Sequence, residues 1–181
     1  MALAYVMTQT PGETDKLICD LAARLAHDGV RLAGVVQTNV ACSDARRCDM
    51  DVQVLPDGPV FRISQTLGPE ARGCRLDPAA LEEAVAAVSS RLIQRPDVLI
   101  VNKFGKHEAE GRGFRDLIAQ CIADDIPVLL GVNPKNLKAF LEFSGGLAHM
   151  VEPRATALNV WAADHRAQHG ETAKPASAHT D

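Results

Sequence analysis

Short runs of consecutive apolar residues alternate along the chain with stretches whose apolar positions recur every three or four residues. Leu3 to Met7 is apolar throughout, as a strand buried on both faces requires. Leu17, Ile18, Leu21 and Leu25 follow at helical spacing, and His27-Asp28-Gly29 supplies the glycine stop. Leu32-Ala33-Gly34-Val35-Val36 predicts the next buried strand. Met50, Val52 and Val54 then alternate with polar residues. Pro56-Asp57-Gly58 marks a turn, and Val60, Phe61 and Ile63 return, which predicts an antiparallel hairpin. Asp77-Pro78 opens a helix carrying Leu81, Val85, Val88 and Leu92. Asp97 to Val101 and Ile126 to Val132 predict two further strands, separated by a helix that buries Phe114, Leu117, Ile118, Cys121 and Ile122. Asn133-Pro134 starts a short helix through Leu141, and His149 falls near a last strand. The order predicts one α/β domain over residues 1–165: a mostly parallel sheet flanked by helices, with a β-hairpin inserted at about 48–65. The polar stretch 166–181 is expected to be a disordered tail.

Composition narrows the task more than the fold. The 181 residues are 46% apolar and 23% charged, as in an ordinary globular protein. With 23 acidic against 19 basic residues the chain lacks the positive excess of a nucleic-acid binder, and 4% aromatics leave little for base stacking. No apolar run approaches the roughly 18 residues of a membrane span, and the start has no basic flank. A cytoplasmic protein without membrane insertion is expected. Its odd five cysteines speak against a disulfide framework.

In open α/β sheets ligands bind at the carboxyl ends of strands, which directs attention to two loops. A phosphate-binding P-loop needs two glycines, a lysine and a Ser/Thr after the first strand. Laid on this chain, the motif falls on Thr8 to Asp15. Thr8 and Glu13 stand at the glycine positions, Thr14 at the lysine and Asp15 at the Ser/Thr, with Thr10 and Gly12 between. Glu13 and Asp15 put negative charge where a polyphosphate would bring more. The plain alternative is a helix start whose side chains, from Thr10 to Asp15, satisfy its free N–H groups. The other loop, after Val101, begins Asn102-Lys103 where a magnesium-dependent NTPase carries acidic residues. Lys103, Lys106, Arg112 and Arg115, with His107, crowd this loop beside Gly111 and Gly113, ahead of a helix. That is the make-up of an anion site. The charge pattern is inverted relative to an NTPase. Either Lys103 or Lys106 pairs with Asp15 or Glu13 across the strand ends, or the basic loop holds an anion of its own; the two are compatible.

The run from Val101 to Gly113 resembles the signature of a bacterial family known as domain of unknown function 2478. Ile63-Ser64-Gln65-Thr66-Leu67-Gly68, Gly73-Cys74-Arg75-Leu76-Asp77-Pro78 and Phe143-Ser144-Gly145-Gly146-Leu147-Ala148 resemble it too, so the likeness extends to about Pro153. It implies a P-loop-NTPase-like fold and genes often neighbouring molybdate transport, some members being named after molybdenum transporter ATP-binding subunits. More distantly, the layout is similar to small nucleoside-triphosphatases with an intact P-loop, an inserted hairpin and an Asp-Glu strand end. This chain departs from them at each position that hydrolysis requires. It also lacks the length and both motifs of an ABC-transporter ATPase.

Cys42, Cys48 and Cys74 surround the hairpin among Arg46, Arg47, Arg72 and Arg75, which would lower thiol pKa if close. The five-residue gap between Cys42 and Cys48 is wider than the about two to four of a zinc knuckle. A three-thiolate metal or redox site and three unrelated small residues are both open. Cys19 and Cys121 read as packing or surface residues, and His107 as a surface histidine beside Glu108. The preferred expectation is a ligand-binding protein without NTP hydrolysis. Lys103, Lys106, His107, Arg112, Gly113 and Arg115 would hold a small anionic ligand, an oxyanion or a phosphate group. The resemblance suggests molybdate and a role in molybdenum handling. One alternative is a divergent nucleotide hydrolase or transferase in which Lys103 or Lys106 replaces the missing lysine. Another is a metal or redox protein acting through the three cysteines. The missing motifs lean against an enzyme, and association with further copies of the chain is left open.

Overall fold

The computed structural model describes residues 2–39, 49–65 and 75–172. Among the described residues seven strands form one sheet in the order β4-β3-β2-β5-β6-β1-β7: β1 (Leu3–Val6), β2 (Leu32–Asn39), β3 (Met50–Val54), β4 (Val60–Arg62), β5 (Val98–Phe104), β6 (Val128–Val132) and β7 (Ala148–Met150). The five strands β2, β5, β6, β1 and β7 run parallel, and β3–β4 is the antiparallel hairpin on the β2 edge. The fold is therefore the expected α/β arrangement of a mostly parallel sheet covered by helices.

Continuous apolar runs suit the inner strands because both faces are covered. Leu3, Tyr5, Leu99, Val101, Val128 and Leu130 point into one core with Leu81, Val88, Phe114, Ile118 and Phe140. Ala4, Val6, Val98, Ile100 and Leu129 point into the other, with Ile18, Leu21, Leu25, Leu158 and Trp161. Helices α2 (Pro78–Leu92), α4 (Arg115–Ala123) and α5 (Leu137–Ser144) cover the first face. Helices α1 (Glu13–His27) and α6 (Ala155–Thr172) cover the second. Asp77 caps α2 by accepting the backbone N–H groups of Ala79 and Ala80, with Pro78 at the first helical position as its spacing predicts.

Three differences from the sequence expectation concern local structure. A one-turn helix, α3 (Lys106–Ala109), lies inside the basic loop. A 3-10 turn at Pro134–Asn136 precedes α5, which continues past Leu141 to Ser144. Of the stretch 166–181 expected as a tail, the part up to Thr172 belongs to α6 and 173–181 lies outside the described residues; Leu158 and Trp161 anchor that helix against the sheet. Its polar, alanine-rich composition reads as tail, yet such residues are compatible with the outer turns of a helix docked at its other end.

Candidate functional site

The carboxyl ends of β1, β5 and β6 bring Asp15, Asn102 and Lys103 together. Asp15, in the first turn of α1, is 7% exposed, and Asn102 is 1% exposed. The Asp15 carboxylate accepts the Asn102 side-chain amide at 3.0 Å and faces the Lys103 ammonium at 3.3 and 3.4 Å. Of the pairings that the inverted charges left open, Lys103 or Lys106 with Asp15 or Glu13, the structure forms Lys103 with Asp15.

Two features of the backbone permit this. Asn102 lies opposite Gly131 on β6, which separates β5 from β1. A Cβ at Gly131 would stand 2.4 Å from the Asn102 amide oxygen, so only glycine leaves room for that side chain to cross toward α1. The pairing of β5 with β6 shifts register between Asn102 and Phe104. Such an irregularity re-aims side chains. Successive residues that a regular strand sends to opposite faces here both reach Asp15. The Asn102 oxygen itself is buried without a hydrogen-bond partner.

The first loop closes on itself. The Thr8 N–H donates to the Thr14 hydroxyl at 3.0 Å, and the two hydroxyls are 3.0 Å apart. Gly12 begins α1 in the left-handed region at φ 81°, and no side chain caps the helix. The expected capping by Thr10 to Asp15 side chains is therefore replaced. Thr14 turns back to Thr8, Asp15 turns inward to Asn102 and Lys103, and the Thr10 carbonyl takes the Glu13 N–H.

The basic loop is organised around a carboxylate. Glu108, 3% exposed, accepts the Gly105 N–H at 2.9 Å and the Phe114 N–H at 3.2 Å. Burial pushes its pKa up, against the lowering effect of those N–H groups and of His107. Gly113, at φ 60°, has no space for a Cβ, which would lie 2.3 Å from a Glu108 oxygen. Its N–H donates to Glu82 at 3.2 Å. The N-terminal amides where an anion was expected thus meet the chain's own carboxylates.

The six candidate anion ligands are not gathered at one point. Lys103 sits with Asp15, while Lys106 and Arg112 share the exposed Glu110. The Arg115 guanidinium stacks on Phe143, 4.4 Å from the ring centroid, and donates to the Glu108 carbonyl. His107 departs from the surface position expected of it: the one-turn helix tucks it inward, 9% exposed, with Nε2 unpartnered. Glu108 and Gly131 are the site residues that spacing alone did not single out, and Asn102 stood out only as replacing an acidic residue. A lone glycine within the Val/Leu run of β6 was the signal available for the last.

Cys42, Cys48 and Cys74, with Arg46, Arg47 and Arg72, lie outside the described residues. Cys121 is fully buried in the core, its thiol pushed up to about 12 mainly by burial. Cys19 is half-buried, donates to the Gln37 carbonyl, and is also raised, chiefly by burial. Among the described residues no group of three or more His, Cys, Asp or Glu is placed to hold a metal ion, and no helix is long and apolar enough to cross a membrane.

The architecture and the placing of the two loops define an α/β protein of P-loop-like fold. The solution structure of a human cancer-related nucleoside triphosphatase shares that fold with a TM-score of 0.57 at 18% identity, over 96% of this chain and 99% of that one. Residues 3–161 match the family described as protein of unknown function DUF2478, and the chain belongs to that family. It is also 36% identical over 161 residues to a Bradyrhizobium diazoefficiens protein named molybdenum import ATP-binding protein ModC 2. That match takes in 88% of this chain but spans only 18% of the relative's length.

Proposed function

We propose that this chain is a P-loop-like ligand-binding domain that does not hydrolyse nucleoside triphosphates. It takes a small oxyanion, or a compact phosphate group, at the carboxyl ends of β1 and β5. The observation that carries the reading is the Asp15–Lys103 pair. A P-loop NTPase places a hydroxyl for Mg²⁺ in the first turn of this helix and an acidic residue at the end of the Walker-B strand. Here a carboxylate and an ammonium hold those places and neutralise each other. Lys103 keeps 30% of its side chain exposed, so it can still meet a small anion beside the Thr8–Gly12 loop. A magnesium polyphosphate finds neither the lysine of a P-loop nor the metal's acidic ligand. The name of the Bradyrhizobium relative supports molybdate as the oxyanion and molybdenum handling as the setting.

The test is a thermal-melt series with molybdate, tungstate, sulfate, Mg-ATP and Mg-GTP at matched ionic strength. A ligand at a hundredfold its Kd stabilises by about 2.7 kcal/mol, a rise of about 5–10 °C for a chain of this size. Molybdate and tungstate should give that rise, and Lys103→Ala should remove it. A rise confined to nucleotides, or turnover of Mg-ATP that depends on Lys103, overturns the reading in favour of a divergent nucleotide enzyme.

A further inference from the structure

We infer that Asp15 sets the charge of the ligand this site accepts, acting as a built-in anion that neutralises Lys103; the inference rests on the oxyanion reading above and deepens it. Both carboxylate oxygens of Asp15 face the ammonium, at 3.3 and 3.4 Å, and the Asn102 amide holds one of them from behind at 3.0 Å. The carboxylate is buried, whereas the Lys103 side chain is partly open to solvent. A ligand therefore approaches from the Lys103 side and meets an ammonium whose charge the Asp15 carboxylate offsets. Every negative charge it brings is attracted by Lys103 and repelled by Asp15 at nearly the same range. A compact ion can settle through hydrogen bonds with little net Coulomb gain or loss. A polyphosphate, with more charge spread further from Lys103, gains nothing for the extra charges. Glu13, exposed one turn-position away, cannot substitute for this effect because solvent screens it.

Two unit charges about 5 Å apart at an effective dielectric between that of a protein surface and water interact by enough to change affinity about tenfold. Asp15→Asn removes one such repulsion per ligand charge while keeping the side chain's shape and an oxygen for Asn102 to donate to. Allowing for screening, the variant should bind a dianion about tenfold more tightly than the wild type, and pyrophosphate about a hundredfold more tightly.

Calorimetric titrations of wild type, Asp15→Asn, Glu13→Gln and the double variant Asp15→Asn/Lys103→Ala with molybdate, sulfate and pyrophosphate test this. The expected result is a gain in Asp15→Asn that grows with ligand charge, is absent in Glu13→Gln, and disappears in the double variant. An equal gain in Glu13→Gln would reduce the effect to bulk charge and overturn the inference, as would a gain that survives loss of Lys103. No gain at all in Asp15→Asn also overturns it. Asp15→Thr gives the same readout should the asparagine variant not fold, with ligand-free melting temperatures reporting that. The two readings fail separately. Wild-type protein that ignores molybdate sinks the oxyanion reading, while a Lys103-dependent gain for pyrophosphate in the variant still upholds the role of Asp15.

Discussion

Glu108 shows how much one buried carboxylate can organise. Its two oxygens take the amides of Gly105 and Phe114, one at each end of the loop that follows Lys103. The loop's basic residues consequently splay outward to Glu110 and Phe143 and do not converge. Burial raises the pKa of Glu108, so over the interval above the ordinary glutamate range the folded protein retains a proton that the unfolded chain has released. The contribution of Glu108 to stability is then fully present below the ordinary value and is lost as pH rises through the raised one. Glu108→Gln does not titrate, although it exchanges one acceptor for a donor facing an N–H and so destabilises by about 1–3 kcal/mol. Urea unfolding from pH 4 to pH 8 should show the wild type's advantage over Glu108→Gln shrinking toward the alkaline end. An advantage that grows with pH would mean that the amides outweigh burial, leaving the carboxylate with a lowered pKa.

At the scale of elements, local signals were readable in full and contacts across strands only in part. Asp77-Pro78 announces α2 because cap and first-turn geometry are properties of adjacent residues. Asp77→Ala should therefore cost about 1 kcal/mol, read as a lower urea midpoint at unchanged slope, while Asp77→Asn or Asp77→Ser restores most of it. The parallel strands were legible from their apolar runs, and the hairpin from its turn residues. The polar stretch that ends α6 was not, because its place in a helix depends on Leu158 and Trp161 docking one end against the sheet. The candidate site divides in the same way. Opposite charges on two strand-end loops pointed to an ion pair between them, though not to which lysine and which acid would form it. What sequence could not show is that Glu108, among four cations, would turn inward and take the helix amides. That outcome depends on the left-handed Gly113 and on how α3 folds back, and both are tertiary facts.

The described residues are held by one sheet with a core on each side, and the two cores share their strands residue by residue. In β1, Leu3 and Tyr5 belong to one face and Ala4 and Val6 to the other; β5 and β6 alternate likewise. Neither helical layer can leave without exposing strands on which the opposite core depends. A single cooperative transition is therefore expected despite the size of the chain. The chain has one tyrosine and one tryptophan, and they lie on opposite faces. Tyr5 packs edge-on against Phe140, while Trp161 stacks on His165 of the same helix, α6. Tryptophan fluorescence reports the face covered by α1 and α6, and fluorine resonance from fluorotyrosine at position 5 reports the face covered by α2, α4 and α5. Their urea midpoints should coincide, and both should shift together when a ligand occupies the strand ends, since that site touches α1 and β5 at once. If Trp161 loses its buried environment at lower urea than Tyr5, then the α1–α6 layer opens independently. In that event the Asp15–Lys103 pair would open with α1, tying the charge of the site to a local unfolding step and not to the global one.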